Sequence, residues 1–294
     1  MPAGYNSVII LTALANRLDS TTANAVQELD LNETPRAKKS LGQHFLKDAR
    51  ISGRIVDLLQ IGPADRVLEI GPGPGALTDI IHARGPAVLR LIEKDTYWAG
   101  HHAGLQRSEP DVEVMNADAL EFPWESLEGP WKIISNLPYN VGSPLIWDIV
   151  SRTPQLVRAV FMVQKEVAER LYARPGTRDY GALSVWVQSY VRVEWGFVVG
   201  PGSFSPPPKV DSAVVTFVPL PGEERPAQPE ALARVLKLCF QLRRKQLQSI
   251  LKRAGHADAA ERLAGLGIAP EARPETLPPR TFQELAASLE GISG

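Results

Sequence analysis

Asn136-Leu137-Pro138-Tyr139 brings together residue types that suit one kind of chemistry. The exocyclic amine of adenine is a weak nucleophile, because its lone pair is delocalised into the ring. It has no need of a strong base. It needs both hydrogens held by acceptors, so that the nitrogen pyramidalises and its lone pair is aimed at a methyl donor. In this reading the Asn136 side-chain oxygen is one acceptor and the Pro138 carbonyl is the other, with the proline ring fixing the local chain. Tyr139 offers a face for a base that has left its helix, as enzymes acting on base atoms require. Taken alone, the same four residues also read as a turn in which Asn and Pro merely punctuate the chain.

Gly71-Pro72-Gly73-Pro74-Gly75-Ala76 lies between an apolar run and a helical stretch. Glycines there let the backbone turn tightly and approach a ligand, which makes Gly71 and Gly73 cofactor-binding residues. Glu93 ends the next apolar run, where a carboxylate can accept from both ribose hydroxyls of an adenosine-containing cofactor. Asp118 follows the third run and can accept from an adenine amine; a lone Asp there also serves as a turn acid or helix cap. The glycine pattern equally satisfies a nicotinamide dinucleotide site. A dehydrogenase has no use for the Asn136 tetrapeptide, so the pair of motifs favours methyl transfer with a sulfonium cofactor.

Four apolar runs carry these residues: Arg66–Ile70, Val88–Ile92, Val112–Met115 and Trp131–Ser135. A fifth is Ala159–Val163. Helical stretches alternate with them, including one from Ile51 that Asp48 is placed to cap and one from Lys165 to Tyr172. Such alternation predicts a parallel sheet with helices on both faces. Val191–Trp195 and Ala213–Val218 read as strands bracketing a loop with Pro206, Pro207 and Pro208. A proline-rich linker follows, then a helix predicted over Ala231–Ala254. The domains expected are an extension over residues 1–35 of loosely ordered or weakly helical character, a cofactor-binding domain over 36–221, and a small helical domain over 222–294.

The 294-residue chain has a net charge of -1, so any nucleic-acid surface must come from local clustering. Ala231–Ala257 supplies such a cluster. Arg234, Lys237, Arg243, Arg244, Lys245, Lys252 and Arg253 occur there with no Asp or Glu. A basic helix without compensating acids suits a phosphate backbone. Arg36, Lys38, Lys39 and Lys47 suggest a second contact. Cys239 is the one cysteine; it predicts a buried, inert thiol, no internal disulfide and no metal site, and fits a reducing cytoplasm. No segment reaches the roughly 18–20 apolar residues of a membrane span, and Val8–Leu14 lacks the basic lead and cleavage site of a signal peptide.

With these residues in view, the chain resembles the ribosomal RNA small-subunit adenine N6-dimethyltransferases. The resemblance runs from about Ala37 to Leu285 through Lys39–Leu46, Glu69–Gly73, Asn136–Val141, Phe161–Ala168, Tyr180–Val185 and Phe204–Val214. It implies an α/β fold: a Rossmann-like class I methyltransferase sheet with a small C-terminal helical domain. It implies S-adenosyl-L-methionine as cofactor, two methyls on each of two adjacent adenines near the 3′ end of small-subunit rRNA, a pre-30S particle as partner, a late role in subunit assembly, and a monomer. Position by position, His44 and Leu46 would touch the methionine end of the cofactor. Gly71 would meet its backbone-facing side, Glu93 its ribose, Asp118 its adenine, and Asn136 the reacting region. His44 stands where many members carry Asn, which keeps a hydrogen-bonding side chain. Phe204 would wall the base pocket opposite Tyr139, and Arg243-Arg244-Lys245 would fall in the family's basic helix. Two other readings remain: a large-subunit adenine methyltransferase, which the Pro208–Val214 and Tyr180-Gly181 segments disfavour, and a non-catalytic assembly factor, which the intact Glu93, Asp118 and Asn136 disfavour.

Overall fold

Successive strand residues point to opposite faces, and both faces of the central strands are covered, so those strands are mostly apolar. The computed structural model describes residues 43–290; the expected extension over 1–35, and Arg36, Lys38 and Lys39, lie outside them. Along the chain come β1 (Phe45–Leu46), α1 (Ala49–Leu59), β2 (Arg66–Ile70), α2 (Thr78–Ala83), β3 (Val88–Glu93), α3 (Thr96–Ser108) and β4 (Val112–Asn116). Next are β5 (Trp131–Asn136), α4 (Gly142–Arg152), β6 (Leu156–Gln164), α5 (Lys165–Tyr172), α6 (Ala182–Gln188), β7 (Val191–Val199), β8 (Phe204–Ser205) and β9 (Ser212–Pro219). Four helices end the described chain: α7 (Pro229–Gln241), α8 (Leu247–Arg253), α9 (Ala259–Gly265) and α10 (Pro279–Glu290).

The seven-stranded sheet has the order β4-β3-β2-β5-β6-β9-β7. Its first five strands are parallel. Of the last two, β9 runs antiparallel to both β6 and β7, so β9 alone is reversed and β7 again runs with the first five. The strand–helix alternation stops after α6. Only the short proline-rich stretch joins β7 to β9, and a short connection can join antiparallel neighbours but not parallel ones. Alternate residues feed two apolar layers. Val67 and Ile134 face the layer built by Ile55, Val56 and Leu59 of α1 and Ile81 of α2. Leu68 and Ile133 face the layer of α4 and α6.

Leu232, Leu236 and Cys239 of α7 and Phe282 and Leu285 of α10 belong to that second layer, continuous with the sheet. Burial pushes the Cys239 thiol up to about 12, as an inert thiol requires. The helix expected over Ala231–Ala254 is in fact two, α7 and α8, separated by a turn at 242–246. An uninterrupted helix would set Arg243 on the same apolar stripe as Leu236, Cys239 and Leu247. The turn instead lets Arg243 reach the Glu275 carboxylate at 2.7 Å.

Asp48 caps α1, accepting from the N–H groups of Arg50 (3.0 Å) and Ile51 (3.4 Å). Asp48→Ala should therefore lower stability by about 1 kcal/mol in urea unfolding; an unchanged midpoint would show that the cap contributes nothing.

Candidate active site

Parallel strands end on one edge, and ligands of open α/β sheets bind there. On that edge β2 passes into the glycine loop, where Gly71 (φ 65°) and Gly73 (φ 52°) adopt left-handed backbone. A Cβ on Gly73 would sit 3.1 Å from the Phe45 ring, so a side chain there would push on that ring as well as strain the left-handed backbone. Glu93, at the end of β3, accepts the Gly73 N–H at 3.0 Å and the Asp95 N–H at 2.8 Å. Burial pushes its carboxyl up, and these two N–H bonds oppose the shift. Each Glu93 oxygen keeps acceptor capacity after one N–H, which leaves room for hydroxyls.

The Gly73 carbonyl is held as well, by His102 Nε2 at 2.9 Å. A carbonyl only accepts, so the ring carries its proton on Nε2. Burial holds His102 below the usual histidine range, which favours the neutral ring. Asp118 lies across the cleft, paired with Lys94 Nζ at 2.6 Å and accepting the Leu120 N–H at 3.0 Å. The Lys94 ammonium holds its carboxyl below the usual range, so it stands ionised. Asp118 thus combines the turn-acid role with a place on the cleft wall.

At the end of β5, Asn136 Nδ2 donates to the His44 carbonyl at 3.0 Å. That bond sets the amide orientation and leaves Oδ1 as an acceptor with no partner among the described residues. The His44 ring donates from Nδ1 to the Pro206 carbonyl at 2.8 Å and lies 5.3 Å from the Tyr139 ring. The Tyr139 hydroxyl bonds Ser212 Oγ at 2.8 Å. Phe45 and Leu46 pair antiparallel with Ser205 and Phe204. Three segments distant in sequence are therefore tied around one cleft, partly open to solvent. His44, Gly71, Gly73, Glu93, Asp118, Asn136, Pro138 and Tyr139 line it.

Four of the expected site groups are engaged or buried within the protein. The Pro138 carbonyl accepts from Val141 N–H (3.2 Å) and Gly142 N–H (3.1 Å), closing the turn into α4, so both its lone pairs are engaged. The neighbouring Leu137 carbonyl accepts no hydrogen bond among the described residues. Leu46 (6% exposed) and Phe204 (1%) are buried in the apolar layer beneath α1 and do not line the cleft. The strand pairing that joins their backbones turns both side chains inward. Arg243 is half-buried and engaged, donating to Glu275, to the Arg178 carbonyl (2.8 Å) and to the Thr177 carbonyl (3.3 Å). Arg244, Lys245 and Lys47 are exposed.

Sequence reasoning missed two residues. Nothing in the composition of α3 separates His102 from His101. Glu69 did carry a signal, a lone acid inside the apolar run of β2. It is fully buried and accepts from Thr78 Oγ1 at 2.8 Å. Among the described residues no group of His, Cys, Asp and Glu could hold a metal ion, and no helix is long and apolar enough to cross a membrane.

A family model described as ribosomal RNA adenine dimethylase matches residues 34–290. The chain is 56% identical over 257 residues to the ribosomal RNA small subunit methyltransferase A of Lawsonia intracellularis, covering 87% of this chain and 95% of that protein. It is 58% identical over 262 residues to the protein of the same name from Nitratidesulfovibrio vulgaris (strain Hildenborough), covering 87% and 97%. Among solved structures, a dimethyladenosine transferase from Plasmodium falciparum is similar with a TM-score of 0.74 at 27% identity, covering 84% of this chain and 97% of that one. The 23S rRNA methyltransferase ErmE is similar with a TM-score of 0.61 at 27% identity, covering 83% and 99%.

Burial, with Glu93 and Asp79 nearby, pushes the Glu69 carboxyl from its ordinary 4.5 up to about 8. Between those values the folded state holds a proton that the unfolded chain releases, so stability falls as pH rises through that window. Glu69→Gln cannot ionise and should flatten this slope in thermal melts taken from about pH 5 to 9. Parallel curves for the two proteins would count against a protonated Glu69.

Proposed function

Because the chain belongs to the ribosomal RNA adenine dimethylase family, we propose that this cleft holds S-adenosylmethionine beside one extruded adenine. The enzyme methylates the exocyclic amine, twice at each of two adjacent adenosines near the 3′ end of small-subunit (16S) rRNA. It acts in small-subunit biogenesis, as a cytoplasmic monomer on a pre-30S particle. The high identity to proteins named for the small subunit, against 27% for the 23S enzyme, supports the small-subunit choice.

The residues fit the cofactor. Glu93 is tethered by two N–H groups with acceptor capacity to spare for two ribose hydroxyls. Asp118 is ionised and can accept an adenine amine. Gly71 bends the chain with nothing within 4 Å of the place a Cβ would occupy, so a ligand can approach its backbone. When bound, the sulfonium supplies an electrophilic methyl group.

The chain's own residues then orient the amine. Asn136 Oδ1 holds one hydrogen. The Leu137 carbonyl, in place of the engaged Pro138 carbonyl, holds the other. Tyr139 stacks on the base, its ring fixed by the bond to Ser212. No strong base is needed, because the nitrogen becomes acidic once it carries the new methyl group. Orientation and a shaped pocket are the protein's contribution. The carrying observation is the Asn136 Nδ2 bond to the His44 carbonyl, which presents Oδ1 as an acceptor.

Asn136→Ala should slow single-turnover methylation by about 10²–10³-fold, the range for losing one group that stabilises a transition state; undiminished methylation would refute the orienting role. Mass mapping of undermethylated ribosomal subunits incubated with the enzyme should find dimethyladenosine in small-subunit RNA. Methyl groups found only in large-subunit RNA would overturn the substrate assignment.

A further inference from the structure

The residues around Arg243 point to an RNA surface assembled from two distant parts of the chain. Arg243 donates to Glu275 and to the carbonyls of Thr177 and Arg178. The Gly176 N–H donates to the Glu275 carbonyl at 2.6 Å. Tyr180 OH, at the end of the same loop, donates to the Leu277 carbonyl at 2.8 Å. Three segments are thereby laced together: the loop 173–181 between α5 and α6, the turn 242–246 between α7 and α8, and the short stretch 273–277.

The lacing gathers positive charge. Arg174 and Arg178 of the loop, Arg244 and Lys245 of the turn, and Arg273 are all exposed. None has an acidic partner among the described residues. The acids in these segments are Asp179, exposed, and Glu275, which is occupied by Arg243; Glu271, exposed, lies just before the third. Exposed guanidinium and ammonium groups without internal partners attract a polyanion, and guanidinium matches phosphate geometry.

We propose that Arg174 and Arg178 bind rRNA phosphates together with Arg244 and Lys245, and that Arg243 is a positioning residue touching no RNA. The proposal rests on the rRNA substrate assigned above. It departs from a purely C-terminal basic helix in two ways. Half of the surface comes from the loop before α6, and the central arginine of the basic run serves as a strut. A strut with forked donors to a carboxylate and two carbonyls calls for Arg, because Lys carries its charge as a point and cannot span them.

Binding of the full-length protein to small-subunit particles lacking the dimethyladenosines, titrated across salt concentration, tests this. The Arg174→Ala/Arg178→Ala double variant should raise Kd roughly tenfold or more at about 0.1 M salt. It should also shallow the slope of log K against log salt by about 0.7–0.9 per arginine. Arg243→Lys should lower both Tm and affinity even though the charge is kept. An unchanged slope in the double variant overturns the proposal, as does a loss of affinity equal at every salt concentration, which would mark a protein contact. Wild-type Tm and affinity in Arg243→Lys overturn the strut. Salt-dependent binding without any methylation by the wild type would instead refute the enzymatic reading.

Discussion

The hydrogen bond from Asn136 Nδ2 to the His44 carbonyl governs what the cleft can do. A backbone carbonyl can only accept, so the amide nitrogen must face it and the amide oxygen becomes the free end. The same bond draws the segment before β1 across the end of β5. That segment is held on its other side by the His44 ring on the Pro206 carbonyl and by the pairing of β1 with β8. Removing either tie would leave the amide free to turn and the cleft without one wall.

Around this anchor the acids have different tasks because their surroundings differ. Glu93 is buried but met by two backbone N–H groups, which both bind the glycine loop and support the charge. Asp118 stands nearer solvent and is ionised by Lys94. Glu69 is fully buried with a threonine hydroxyl as its one hydrogen-bond partner among the described residues and the acids Glu93 and Asp79 nearby, so it holds its proton above the usual carboxylate range beneath the loop. Gly73 shows how tightly these roles are joined. Its N–H goes to Glu93 and its carbonyl to His102, and the Phe45 ring lies where a side chain would be.

The C-terminal helices share an apolar layer with α4 and α6 of the sheet. The turn between α7 and α8 is therefore built on the same apolar layer as the strands that end at the Asn136 edge. The acid-free run Ala231–Ala257 announced a basic surface, yet its central arginine is engaged inside the protein, because a half-buried guanidinium is stable only with acceptors around it.

Much of the site was legible in the residues themselves. A glycine run after an apolar strand, an acid at the next strand end, an Asp after the third and Asn-Leu-Pro-Tyr after the fourth are local patterns, set by backbone geometry within a few residues. Asp48 as a cap and Cys239 as a buried thiol were legible for the same reason. The tertiary structure alone decided what depends on contacts across the chain. It placed Phe204 and Leu46 in the core, engaged the Pro138 carbonyl in a turn, paired His102 with Gly73, reversed β9 between β6 and β7, and carried Arg243 to Glu275. Each of those outcomes depends on which acceptor or apolar surface lies nearby after folding, and residue type and spacing do not encode that neighbour. Sequence thus pointed to Asn136 as the residue to hold an amine, and the fold determined which oxygens around it are free to accept.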